Sequence, residues 1–367
     1  MSFSSHGECL SIGVKAHVLY SRLLSVDDYW NLLGSDTVTE VAQKLAAASY
    51  DESLETMPQE PHRQDLESAI KITVLKQAEK FLIHLSNPRD KFFRAMMRSH
   101  EAENLKSVFR YIGSGRSDRE ELRRRIYMTK SSRISYDNVL SARDFSELSD
   151  SLRGTHFYRV LQESLKRLQS GEERSLFPLE TALDMFVELS LHKAMKKMPI
   201  GDQNLLMPIF GARVDLFNIY ILYRTIRFFN MTPEETLNRL LPVRFRVSLA
   251  FLRDAARAET YEQLTEMLKS RFHEYSDILT ESAADEEPLL SLERGIKRYI
   301  YNQARKVFNG GPPGFHTVIS YFVLKEFEIA DIIRIIEYVR YGYDRRHAAA
   351  YLTRPIISAA GGETEWQ

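Results

Sequence analysis

The sequence predicts an all-α protein built from three helical repeats. Apolar residues recur at spacings of three, four and seven along most of the chain, while strand-type alternation between turn signals is scarce. A short Leu-Glu motif returns at a constant interval, the mark of an internal repeat. Turn residues are few: with 16 glycines in 367 residues, the chain falls well below the usual glycine share of roughly 7%. Few turns imply long helices.

The elements follow in chain order. Segments 37–45 (TVTEVAQKL), 144–152 (DFSELSDSL) and 260–268 (TYEQLTEML) share one helical pattern, ending at Leu45, Leu152 and Leu268. Segment 64–85 places Leu66, Ile70, Thr73, Val74, Phe81 and Leu85 near one side of a helix. Gly113-Ser114-Gly115-Arg116 lacks the length and the Gly-Lys-Ser/Thr ending of a phosphate-binding loop, so it marks a helix terminus and turn. At 230–241, Thr232 is a helix N-cap, Pro233 takes the first helical position, and Glu234 and Glu235 occupy the first turn. Asn309-Gly310-Gly311-Pro312-Pro313-Gly314 breaks two long helices, the second of which carries Ile329, Ile332, Ile333, Ile336 and Val339 along its apolar side. The tail from Ala359 is expected to fray.

Repetition sets the domain organisation. Leu66-Glu67-Ser68-Ala69-Ile70, Leu179-Glu180-Thr181-Ala182-Leu183 and Leu292-Glu293-Arg294-Gly295-Ile296 place their glutamates 113 residues apart each time. A polar residue in an apolar helical stretch follows each glutamate: Asn104 after 37 residues, Asp215 after 35 and Asp331 after 38. Three landmarks in one order, three times over, give an N-terminal segment 1–24, helical repeats at 25–133, 134–243 and 244–356, and a tail 357–367. Pro242 and Pro355 fit as joints, because neither can continue the helix before it.

Composition bounds the function. A mass of 42.6 kDa allows two or three domains at about 150 residues each. Fifty Lys and Arg balance fifty Asp and Glu, so the basic excess of a general nucleic-acid binder is missing. The lone cysteine, Cys9, allows neither an internal disulfide nor a Cys-based metal site. The opening residues lack the cationic start and apolar run of a secretory signal. The nearest approach to the ~18 apolar residues of a membrane span is Val318–Leu324, cut off by Lys325 and Glu326. These features predict a soluble protein with no direct membrane span and no nucleic-acid partner.

Candidate chemistry is thin. Glu67, Glu180 and Glu293 are either a converging carboxylate cluster or, more plainly, first-turn residues that complement a helix dipole, with Pro178 and Ser291 marking helix starts. Asn104, Asp215 and Asp331 lie on a solvated helix side, are buried with a partner such as Arg334 or Arg224, or line a surface shared by three repeats; a structural or surface role outweighs a catalytic one. None of the ten histidines forms a His-x-x-x-His or His-Glu-x-x-His pair, and no Gly-x-Ser-x-Gly elbow is present. No catalytic residue, metal ligand or cofactor site is assigned. Charge is nevertheless lopsided: Arg116, Arg119, Arg123, Arg124, Arg125, Lys130 and Arg133 crowd one stretch, and Glu281, Asp285, Glu286, Glu287 and Glu293 another. Such runs are solvated faces or surfaces that orient partners. A free-standing helical-repeat scaffold is the alternative from another class, but its repeats commonly run 20–45 residues.

Tyr321–Glu337 (YFVLKEFEIADIIRIIE) with Arg340-Tyr341-Gly342 resembles the C-terminal signature of the C subunit of archaeal and bacterial V-type (A-type) ATPases, whose family includes the d subunit of the eukaryotic enzyme. Ser21-Arg22-Leu23-Leu24 resembles the family's N-terminal pattern; His17 stands where members often carry Arg, and Asp331 where Asn is frequent. The resemblance implies three helical domains related by pseudo-threefold symmetry into a funnel or socket. It also implies a non-catalytic coupling role between the central shaft, made by the D and F subunits, and the membrane rotor ring of c/K-type subunits, at the cytoplasmic face of the membrane. On this reading, partner-contact candidates are Arg123, Arg124, Arg125, Asn104, Asp215, Asp331, Arg224 and Arg340.

Overall fold

The computed structural model describes residues 3–50, 54, 57, 61–115, 118–126, 132–229, 231–280 and 288–356. Among them every regular element is a helix, and no strand occurs. The acidic residues Glu281, Asp285, Glu286 and Glu287, the tail from Ala359, and Arg116 and Lys130 lie outside the described residues.

In chain order the helices are α1 (Phe3–Tyr20), α2 (Val26–Leu33), α3 (Val38–Leu45), α4 (Arg63–Leu82), α5 (Arg89–Gly113), α6 (Arg119–Arg125), α7 (Tyr136–Ser141), α8 (Phe145–Ser151) and α9 (Tyr158–Ser170). They continue as α10 (Phe177–Met195), α11 (Ile200–Arg224), α12 (Pro233–Leu237), α13 (Leu249–Ala255), α14 (Tyr261–Arg271), α15 (His273–Thr280), α16 (Pro288–Phe308), α17 (Phe315–Tyr341) and α18 (Arg345–Ala350). Contacts divide the chain into two compact units: Met1–Leu66 with Pro199–Gln367, and Glu67–Met198.

Local sequence explains where the three related segments start. Thr37, Asp144 and Thr260 cap α3, α8 and α14, each side chain accepting a backbone N–H from the first turn. In all three, the third helical residue also reaches back to the backbone N–H before the cap: Glu40 to Asp36, Glu147 to Arg143 and Gln263 to Glu259, at 2.9, 2.8 and 3.0 Å. Four and eight residues past each cap lies a buried apolar pair, Val41 and Leu45, Leu148 and Leu152, Leu264 and Leu268. The predicted start at Thr232 is present in full: its hydroxyl accepts the Glu235 N–H, Glu235 returns the bond, and Pro233 opens α12.

In the discontinuous unit, α17 is the central element. Every residue from Phe315 to Lys325 is buried, so this half of the helix is enclosed on all sides. It packs against α1 and α16, and α16 packs in turn against α11. The predicted break at 309–314 joins α16 to α17, and α1 passes so close to it that a Cβ on Gly13 would lie 2.4 Å from the Gly314 nitrogen. Only hydrogen fits there. At its far end α17 stops at Gly342, whose φ of 66° suits a left-handed cap.

One expectation is corrected here. The stretch with membrane-span character is not Val318–Leu324 but Ile200–Phe229, long and apolar enough by length and composition. Counting only uninterrupted apolar runs missed it, because Arg213 and Asp215 interrupt the stretch. About 67% of its most apolar window is buried inside the protein, as a core helix would be.

The continuous unit has its own core. Leu105, Val108 and Phe109 of α5 and Leu179, Leu183 and Val187 of α10 meet Leu148, Leu161 and Leu165 from the helices between them. Tyr136, Val139 and Leu140 of α7 join the same cluster. The ion pair of Lys106 with Asp184, at 2.6 Å, ties α5 to α10 at its edge.

Candidate functional site

Three of the sequence candidates share one structural task. Asn104, Asp215 and Asp331 are all buried, at 2%, 0% and 0% exposure, and each reaches chain lying downstream. Asn104 donates from Nδ2 to the Tyr136 hydroxyl at 3.0 Å, 32 residues on. Asp215 accepts backbone N–H groups from Phe245, Arg246 and Val247 at 2.9, 2.6 and 3.1 Å, and the Tyr275 hydroxyl at 3.3 Å. Asp331 accepts from the backbone of Thr353 and Arg354 at 2.8 and 2.9 Å, and from the Arg334 guanidinium at 2.6 Å.

These bonds fall close to residues 133, 243 and 356, where the sequence spacing leads one to expect repeat ends. A connection leaving a helical repeat exposes backbone N–H groups, and a buried one must find an acceptor. The carboxylates supply it. Burial raises the pKa of both aspartates; the Phe245, Arg246 and Val247 amides oppose it at Asp215, and Arg334 with the Arg354 and Thr353 amides opposes it at Asp331. Burial also pushes the Tyr136 phenol up to about 12. Asp331 uses both oxygens as acceptors, where an amide would offer one.

The strongest polar cluster was not among the candidates. Lys325 and Glu328, one turn apart on α17, are 4% exposed each and paired at 2.7 Å. Tyr50 closes the group, accepting from the Lys325 ammonium at 2.8 Å and donating to Glu328 Oε1 at 2.8 Å. Burial and the neighbouring Glu328 charge push the Tyr50 phenol far up, so it stays a donor. The other Glu328 oxygen accepts the backbone N–H of Leu24 at 2.6 Å, and Arg354 donates to the Leu24 carbonyl. Leu24 belongs to the N-terminal pattern and Glu328 to the C-terminal signature, so the two stretches that carry the family resemblance bond to each other across 304 residues. The one available sequence signal was two opposite charges three apart in an apolar helix.

The surface candidates lie elsewhere. Arg123 and Arg124 are exposed on α6, next to the buried Leu122; the Arg125 side chain lies outside the described residues. Arg224 is half-buried at the end of α11, its guanidinium 5.6 Å from the Tyr220 ring and 6.0 Å from that of Phe229. Arg340 is exposed on α17, 5.2 Å from the ring of Tyr341. Tyr341 and Tyr343 are 61% and 57% exposed beside it, giving a surface rich in tyrosine and arginine, the residue types that anchor protein interfaces.

The glutamate triplet needs partial correction. Glu180 does stand in the first turn of α10, where it accepts from Arg110 at 2.8 Å. Glu67 and Glu293 lie in second turns, because α4 and α16 begin earlier, at Arg63 and Pro288. Ser291, expected as a helix start, is buried inside α16. Glu293 instead accepts the Tyr220 hydroxyl at 2.7 Å, joining α16 to α11. Among the described residues no three His, Cys, Asp or Glu side chains gather as a metal would need.

Comparison with known proteins agrees with this chain-long organisation. The model of the ATP synthase (C/AC39) subunit family matches residues 12–351. The C subunit of the A-type ATP synthase of Methanosphaera stadtmanae is 22% identical over 65% of this chain and 62% of its own length. The Methanobrevibacter smithii protein of the same name is 23% identical, with the same coverage. That of Methanosarcina mazei is 21% identical over 88% of this chain and 86% of its own. The chain thus spans somewhat under two thirds of the first two relatives, and most of the third. With the match running from α1 to α18 and taking in the bonded N- and C-terminal stretches, the chain belongs to the ATP synthase (C/AC39) subunit family, that of the C subunits of A-type ATP synthases.

Proposed function

We propose that this chain is the non-catalytic coupling subunit of the central stalk in a rotary V/A-type ATPase. It receives the base of the shaft formed by the D and F subunits, rests on the membrane rotor ring of c/K-type subunits, and carries torque between ATP chemistry and proton or sodium transport. Its place is peripheral, on the cytoplasmic face of the membrane. The observation that carries the reading is the family match over 12–351, which includes nearly every described helix.

Physical considerations support it. A torque-bearing part needs stiffness rather than a reactive side chain. Close-packed cores and buried, hydrogen-bonded charges resist deformation. The repeats at 25–133, 134–243 and 244–356 would then be three related domains arranged as a socket. In this role the exposed Arg123, Arg124 and Arg340, with Tyr341 and Tyr343, are contact residues, while Asn104, Asp215 and Asp331 keep the repeat ends in place.

Co-expression with the D and F proteins and the ring protein tests the proposal. The full chain is expected to co-purify with the D–F pair and with the ring, and to hydrolyse no ATP alone. Charge reversal at Arg123 and Arg124 should weaken assembly while leaving the melting temperature unchanged. A folded chain that ignores both partners ends the coupling assignment.

A further inference from the structure

The continuous unit contains a cavity of about 360 Å³ that the coupling role does not use. Part of its lining is apolar, from Leu75, Met97 and Phe157. Its polar lining includes three basic side chains from separate segments, Arg98 of α5, Arg133 ahead of α7 and His156 in the turn before α9.

These basic groups differ from their neighbour in how they are neutralised. Arg94, on the same wall, is held by Asp90 at 2.8 Å. Among the described residues, Arg98 and Arg133 have no carboxylate within ion-pair distance. Glu79 and Glu101 also line the cavity, but burial disfavours the charged form of Glu101, and Ser132 and Arg98 offset this only in part. The charges acting on His156 are those of Arg98 and Arg133, which, after burial, hold its pKa down. Arg98 is itself held down by burial, which outweighs the pull of Glu101; Arg133 adds a smaller push in the same direction as burial. Two guanidiniums and an imidazole thus face one open space with Glu101 and Glu79 beside them, and an anion entering it would add hydrogen-bonded acceptors to groups that have none at ion-pair distance. A volume of this size, with an apolar wall and a few convergent polar groups, is that of a small-molecule pocket.

We propose that this cavity binds a small organic anion, a phosphate monoester or carboxylate with an apolar body, its charge on Arg98, Arg133 and His156 and its body against Leu75, Met97 and Phe157. Arg98 and Arg133 give the fork geometry that pairs with either anion.

Isothermal titration of the full chain with phenyl phosphate, benzoate and the neutral benzyl alcohol tests this. Phenyl phosphate and benzoate are expected to bind at one site and benzyl alcohol to bind far more weakly. Arg98→Gln with Arg133→Gln should lower anion affinity by roughly tenfold or more, since each removes a charge-assisted contact. His156→Gln and Arg133→Gln change exposed positions, and each alone should weaken binding in a chain that melts normally. Arg119→Gln, outside the cavity, should leave affinity unchanged. Absence of anion binding, equal binding of benzyl alcohol, or affinity indifferent to the folded His156→Gln and Arg133→Gln variants would each overturn the proposal.

Discussion

Asp331 shows what a single buried carboxylate does here. Its two oxygens, themselves fully buried, answer two backbone N–H groups and the guanidinium of the partly exposed Arg334. Removing it leaves the Thr353 and Arg354 amides without their acceptor, while Arg334 keeps its bond to the Thr353 hydroxyl. Asp331→Ala is therefore expected to cost about 2–5 kcal/mol in urea unfolding, at about 1–3 kcal/mol for each backbone donor left without its acceptor. Asp331→Asn keeps one acceptor oxygen and should cost less, about 1–3 kcal/mol. Equal stability of Asp331→Ala and the parent chain would show that the 353–354 backbone finds other acceptors. The sequence offered Asp331 as solvated, paired or surface-lining, and named Arg334 as a possible partner. Burial decided among these, and burial is set by what packs over the helix.

At the scale of elements, helix starts are the most local feature of the fold and were the most legible. Thr232, Pro233 and Glu235 need only one another, so their arrangement follows from four consecutive residues. Thr232→Ala should cost about 1 kcal/mol, the typical value of a lost cap. The backbone and hydroxyl of Thr232 hold the Glu235 pKa below its ordinary 4.5. A bond from Lys44, with the Asp36 amide, does the same for Glu40. A carboxylate lowered on folding contributes stability that is present above pH 4.5 and is lost as pH falls through the folded value. The first turns of α12 and α3 should then loosen as pH falls below 4.5, seen as faster amide exchange there, and Glu235→Gln should abolish the change at α12. By contrast, the start of α16, expected at Ser291, lies about a turn earlier, at Pro288. Helices run on past a weak cap when packing holds the extra turn, as the buried Ser291 illustrates.

For the whole molecule, the division into a continuous and a discontinuous unit has a physical consequence. Residues 67–198 carry their own core of α5, α8, α9 and α10, so a fragment beginning at Arg63 and ending at Met198 should fold alone. A fragment of 199–356 retains Lys325 and Glu328 but loses Tyr50 and the Leu24 amide, leaving a buried ion pair short of its hydrogen bonds. It should show helical far-ultraviolet dichroism with little fixed aromatic signal, and adding residues 1–66 in trans should restore that signal. A native-like 199–356 fragment would show that α17 does not need the N-terminal segment.

The sequence by itself determined the helical class, the three capped segments, the break at 309–314, the polar landmarks and the family resemblance. Those features depend on periodicity, on a few neighbouring residues, or on spacing along the chain, and all three can be counted in a sequence. Only the tertiary structure decided that the landmarks are buried and bond to chain further on, that Leu24 and Glu328 meet, and that Arg98, Arg133 and His156 share a cavity. A hydrogen bond between residues 304 apart exists because every intervening helix has packed, and no local preference at either end records its partner.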